Sequence, residues 1–236
     1  SSASISACNT VINTAVAEEL RQFANILEAA DDFNEELHNV ICNTIKEHKR
    51  IIFNGNGYDD SWVEEAERRG LLNMKTTPDC LPCLLAKKNI DLFTSHKGFS
   101  ETELHARYEI RLESYSKLIN IEALTMLDMA KKGILPAVSA FARDVADTLT
   151  AKRSYIASGA VYEEKLDKAY EAVCELEETS AHAETITDAQ QRADYYRDRV
   201  IPAMNSLREN SDALEMMTST EYWPYPSYGE LLFGVR

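Results

Sequence analysis

Glycine and proline are scarce in this chain, with 8 and 6 residues among 236. An all-β design needs many tight turns, and this shortage disfavours one. Cations are outnumbered, with 25 Lys and Arg against 39 Asp and Glu, giving a formal net charge of −14. A field of that sign repels phosphates and anionic lipid, so nucleic acid and membrane surfaces are set aside as partners. No apolar run approaches the ~18 residues of a membrane span. The sequence has no Asn-x-Ser/Thr sequon and no signal-peptide pattern. It also has no initiator Met and opens Ser-Ser-Ala-Ser, so a processed chain or a piece of something longer is expected. Cysteine is sparse and odd in number: Cys8, Cys42, Cys80, Cys83 and Cys174. That pattern reads as reduced thiols of a cytoplasmic protein rather than a disulfide framework.

What is abundant is Ala, Glu and Leu in helical spacing. Val16, Leu20, Phe23 and Leu27 share one helix face, and Phe33, Leu37, Ile41 and Ile45 share another. The two helices are expected to pack together, the second ending in Lys46, His48, Lys49 and Arg50, cations that suit a helix C-terminus. Ser61 and Glu64 have the spacing of a capping box, with Gly70 as a left-handed stop. Thr77 and Pro78 mark a further start, leading through Leu84, Leu85, Ile90 and Phe93 to Lys97-Gly98. Ser100 and Glu103 form a second box. After it comes a long helix with Leu104, Tyr108, Arg111, Tyr115 and Leu118 on one face, continued by Ile121, Leu124 and Leu127. Gly133 and Pro136 predict a break or kink, after which the period runs through Ile134, Val138, Phe141, Val145 and Leu149. Helices over about 160–183 (Val161, Leu166, Tyr170, Val173, Leu176) and 187–217 follow, the latter with Pro202 inside. The fold class is therefore all-α, an antiparallel helical bundle with an extended aromatic C-terminal tail. The tail, "EYWPYPSYGELLFGVR", is not helical before Tyr228. It is expected to pack on its own bundle, with docking on a neighbouring subunit as the sharper alternative. The chain divides into a helical hairpin at 1–50, short capped helices and turns at 51–99, a long-helix bundle at 100–218 and the aromatic strap at 219–236.

Four patterns are candidates for chemistry, and each has a plainer reading. The Asn54-Gly55-Asn56-Gly57 loop follows the apolar Ile51-Ile52-Phe53 and precedes a helix. It lacks the Lys of a P-loop and the third glycine of a dinucleotide loop, and Asp59 and Asp60 would repel phosphate. A turn with positive φ at the glycines is the better reading. Cys80-Leu81-Pro82-Cys83 has redox spacing near a helix start, without the buried strand that should precede it or the further ligands zinc would need. Glu35-x-x-His38 matches one half of a di-iron motif, and no second copy exists. Glu122 sits amid apolar residues and is either solvated or paired with Arg111 or Lys117. No catalytic, cofactor-binding or metal-binding residue is assigned.

Three long stretches carry a resemblance: "HKRIIFNGNGYDDSWVEEAERRGLLNMKTTPD", "INIEALTMLDMAKKGILPAV" and "WPYPSYGELLF". With "NTVINTAVAEELRQFANILE" near the start, they closely resemble the C-terminal region of type III glutamine synthetases. The resemblance implies a parent that uses ATP and Mg or Mn to ligate ammonia to glutamate through a γ-glutamyl phosphate. It implies a dodecamer of two stacked hexamer rings, with metals held in a funnel shared between subunits. The family's metal-binding Glu and His residues, its nucleotide contacts and its Glu-Phe-Arg strand lie upstream of Ser1. Asn9 is similar to the Asn of the family's Asn-Pro-Tyr-Leu stretch, but the Pro-Tyr does not follow, which leaves it a support position. Where the family usually has Ala, this chain has Cys80 and Cys83. The expectation is a non-catalytic helical region, inactive alone, that meets the remainder of the parent chain and sister subunits. The alternatives are a free-standing helical interaction module and, behind it, a thiol oxidoreductase using Cys80 and Cys83.

Overall fold

The computed structural model describes residues 4–151, 158–226 and 228–234, with side chains described except at 149–151, 158–161, 228 and 229. The side chains of Leu149, Val161 and Tyr228 thus lie outside the described set. The described residues are helical, with no strand among them, and fall into two units, 1–109 and 110–236.

In the first unit α1 (Ser6–Glu28) packs against α2 (Phe33–His48). α1 begins at Ser6, well before Val16, the first residue of its apolar stripe. Asp32 caps α2, its side chain accepting from the amides of Asn34 and Glu35. The expected stripes exist, yet neither helix has a single buried residue: Leu20 is 62% and Ile41 50% exposed. α3 (Asp60–Arg68) is capped by Asp59, which takes the Ser61 amide at 2.9 Å. The Ser61 box is thus displaced by two residues, because an aspartate immediately upstream reaches the first-turn amides from the N-cap position itself. Gly70 does adopt φ +71°, with the Leu71 amide reaching back to Ala66. The stretch expected as one helix from Thr77 is three pieces: α4 (Thr77–Cys80), a 3₁₀ segment (Leu81–Leu85) and α5 (Lys87–Ser95). Thr76, not Thr77, caps α4, and an extended Ala86 separates the last two pieces. Pro82 removes one amide from the ladder, which favours the tighter turn. Lys97 takes φ 55° and Gly98 bonds back to Phe93, closing α5.

α6 (Glu101–Met129) opens on the expected box: the Ser100 amide donates to Glu103 at 2.8 Å and the Glu103 amide to Ser100 at 3.2 Å. Its inward face matches the expected one in part. Leu104 and Leu127 are buried as expected, Tyr108 and Tyr115 are half-buried, and Leu112 and Ala123 are buried too, whereas Arg111, Leu118, Ile121 and Leu124 face outward. The helix is apolar on two sides, so the pattern alone could not say which side meets the core. It does not break at Gly133. Residues Ala130–Ile134 form a π turn, with the Leu135 amide bonding to Ala130, and α7 (Leu135–Ala151) continues.

α8 (Ser158–Thr185), α9 (Ala189–Tyr195) and α10 (Ile201–Glu215) complete the second unit, with a second π turn at Tyr196–Val200 and the Ile201 amide bonding to Tyr196. Pro136 and Pro202 each follow a π turn at the second position. A proline has no N–H to give, and the widened turn relieves its clash with the preceding carbonyl. α8 packs against both α7 and α10. Ala169 clusters with Val138 and Leu214, while Val173, Leu176 and Ala183 cluster with Leu127, Ala123 and Tyr196. Numbers rise along α8 as they fall along both neighbours, which is the order of antiparallel helices. Tyr170 lies on the outer face of α8. α11 (Tyr228–Phe233) ends the described chain.

Candidate functional site

None of the four sequence candidates acquires chemistry from the contacts described around it. In the Gly-Asn-Gly loop neither glycine has positive φ. The turn is made instead by Asn56, whose side chain accepts from the Tyr58 amide at 3.1 Å and whose carbonyl accepts from Asp59 at 3.3 Å. An asparagine side chain that mimics a backbone turn removes the need for a left-handed glycine. Around the loop, Phe53 stacks on Trp62 at 4.0 Å. Arg69 lies within 6 Å of both rings and donates to the carbonyls of Arg50 and Ile52. Glu65 holds Arg69 in place, and the same pairing with Arg68 and Arg69 draws its carboxyl below the usual range. The segment is a clasp, with its cation held by protein groups.

Cys80 ends the four-residue α4 and stands just before the 3₁₀ segment, and its thiol points to the Thr77 carbonyl at 3.4 Å. Cys83 contacts the Met74 sulfur at 3.4 Å, and both cysteines are free thiols. Glu35 is exposed in the first turn of α2, and His38 approaches Cys42 at 3.5 Å. Glu122 is exposed, and Lys117 pairs with Glu113. Among the described residues no group of three or more His, Cys, Asp or Glu could hold a metal ion. Among them, too, no helix is long and apolar enough to cross a membrane.

Two polar clusters are not announced by any motif in the sequence, because each joins residues of different elements. Glu18 on α1 accepts from Arg21 at 2.6 and 3.0 Å, from Gln22 at 2.8 Å and from His96 at 2.7 Å. These donors, Arg21 first, hold its carboxyl down at about 2. In the second unit Tyr196 is fully buried and donates to Glu184 at 2.9 Å. Burial, then that carboxylate, pushes its phenol well up. Both clusters tie elements together.

Among the described residues two concave features are lined mainly by apolar side chains. A shallow depression of about 270 Å³ between α1 and α2 is lined by Phe23, Leu27, Leu37, Val40, Ile41 and Ile45 among others. A groove of about 510 Å³ lies between the end of α6, α10 and the tail. The tail itself packs on its own bundle, as its aromatics suggest. Tyr222 meets Phe141 at 5.3 Å and bonds to Asp144, and Trp223 and Tyr225 pack on the Ile134–Val138–Leu214 cluster. Tyr225 donates to the Met129 carbonyl at 3.3 Å, and a Cβ on Gly133 would stand 2.6 Å from its hydroxyl. Gly133 is thus a seat for the tyrosine rather than a helix breaker.

A family model described as the glutamine synthetase C-terminal domain matches residues 36–153, half of the chain. The chain is 40% identical over 88% of its length to a glutamine synthetase of Butyrivibrio fibrisolvens, covering 31% of that protein. It is 33% identical over 94% of its length to the type-3 glutamine synthetase of Dictyostelium discoideum, covering 32% of it. Against a glutamine synthetase of Bacteroides fragilis the figures are 29% identity, 99% of this chain and 34% of the relative. The chain therefore spans about a third of the length of the curated relatives it matches.

Proposed function

The chain belongs to the glutamine synthetase C-terminal domain family, and from that premise we propose that it serves as the non-catalytic helical region of a type III glutamine synthetase. The parent reaction is ATP-dependent ligation of ammonia to glutamate, with Mg or Mn and the nucleotide held outside these 236 residues. The observation that carries this reading is the unburied apolar surface of helices that are otherwise well formed. No residue of α1 or α2 is fully buried, and α6 leaves Ile110, Leu118, Ile121 and Leu124 outward, each more than half exposed. Contiguous apolar faces of this kind mark contact surfaces. The remainder of the enzyme and sister subunits are the partners that a region of such a ligase would meet. A cytoplasmic location follows from that enzyme class.

The test is glutamine formation from glutamate, ammonia and ATP. The chain alone should form none, and a longer protein containing it should be active. Activity in the chain alone would overturn the absence of a catalytic residue, and a folded but inactive longer protein would overturn the ligase reading. The interaction-module reading is favoured by the same exposed faces, and activity of the longer protein separates the two.

A further inference from the structure

We propose that Asn56 is a self-modifying site, where the next backbone nitrogen expels the side-chain amide, and that Asn54, in an identical dipeptide, is protected by the fold. Asn-Gly occurs at 54–55 and again at 56–57, and both asparagines are exposed. The reaction needs the following nitrogen to reach the side-chain carbonyl carbon and to lose its proton to water. It also needs support for the charge that gathers on the side-chain oxygen. Glycine helps with the approach, because no Cβ crowds its nitrogen. At Asn56 the Oδ1 accepts the Tyr58 amide at 3.1 Å. That bond folds the side chain back over the Gly57 nitrogen and sets a backbone donor where the charge develops. Gly57 itself is open: a Cβ there would meet nothing within 4 Å, and its amide makes no backbone hydrogen bond among the described residues.

Gly55 is covered instead. A Cβ there would stand 2.6 Å from the Phe53 ring, and that ring is pinned by its stack on Trp62 at 4.0 Å and by Arg69. The peptide after Asn54 therefore cannot swing to present its nitrogen. At Asn56 the Gly57 nitrogen, its proton passed to hydroxide, bonds to Cγ. The Cγ–Nδ2 bond breaks and ammonia leaves with a proton from water, closing a cyclic imide. Water then opens either imide carbonyl. One cut gives aspartate, and the other routes the backbone through the side chain as isoaspartate. Overall a water enters and an ammonia leaves, with nothing oxidised or reduced. Both products add a negative charge beside Asp59 and Asp60 at the start of α3. Isoaspartate also adds a methylene to the backbone between the Phe53–Trp62 stack and the Asp59 cap. The loop thus carries an irreversible mark of elapsed time, independent of the ligase reading.

The experiment incubates the whole folded chain at neutral and at mildly alkaline pH. Trypsin then releases residues 51–68, a peptide that holds both asparagines, and mass spectrometry reads each position. Asn56 should show the amide-to-acid mass change about tenfold faster than Asn54. Its rate should rise with pH, since the attacking nitrogen must be deprotonated. The same chain unfolded in guanidinium should convert both asparagines at similar rates, because the local sequence is then all that differs. Phe53→Ala removes the cover from Gly55, so Asn54 should rise to the rate of Asn56. Gly57→Ala fits the open space and should slow Asn56 alone. No conversion at Asn56, equal rates in the folded chain, or the same ratio folded and unfolded would each overturn the proposal. So would an Asn54 that stays slow once Phe53 is gone.

Discussion

Glu18 binds its proton far more weakly in the folded chain than in the unfolded one, where a glutamate titrates near its ordinary 4.5. Its folded value of about 2 sets the sign of the pH effect. Above pH 4.5 the carboxylate is charged in both states and the cluster contributes fully. Between 4.5 and 2 the unfolded chain takes up a proton that the folded chain refuses, so stability is lost as pH falls through that window. Glu18→Gln should lower the thermal midpoint at neutral pH, and the gap between original and variant should close as pH drops from 4.5 to 2. A gap that stays constant with pH would mean that the Arg21, Gln22 and His96 contacts do not depend on the charge. Nothing in the sequence announces this cluster, because His96 lies 78 residues from Glu18. Arg21 and Gln22 are visible as helix neighbours of Glu18, but the fourth contact exists only once α1 and the end of α5 meet.

At the scale of elements, local chemistry was legible and rotational phase was not. The Ser100–Glu103 box and the Gly70 stop depend on residues within one turn, so the spacing alone identified them. Asp59 displaced Ser61 because two competent caps stand two residues apart, and which one takes the amides depends on where the preceding loop delivers the chain. In α6 the outward Leu118, Ile121 and Leu124 were as apolar as the inward set, so periodicity had two answers. Gly133 and Pro136 were read as a break. The structure shows a π turn that keeps the helix continuous and receives Tyr225. Alanine at 133 should gain up to about 1 kcal/mol of helix propensity yet force the tyrosine off its seat. A net loss of about 1–2 kcal/mol is expected from such overpacking. With Tyr225→Leu as background the sign should reverse, and chemical denaturation followed by Trp fluorescence reads both cases.

For the molecule as a whole, burial is uneven. The two named core clusters draw on α6 to α10, whereas α1 and α2 have no buried residue. Native-state hydrogen exchange should therefore find the slowest amides in α8 and α10 and the fastest helical amides in α1 and α2. Equal protection across all of these helices would contradict that gradient. In a longer protein whose remainder covers the apolar faces, the α1 and α2 amides should slow selectively. The two π turns have a different consequence, one for the comparison of related sequences. Each holds one residue more than the α turn it replaces. Deleting one residue within 130–134 would leave an unbroken α-helix, yet everything after it would turn by about 100° and carry Val138 out of the core. A single-residue gap at that point is thus a change of facing rather than of length, and chains that keep the partner surfaces of α7 must keep the extra residue.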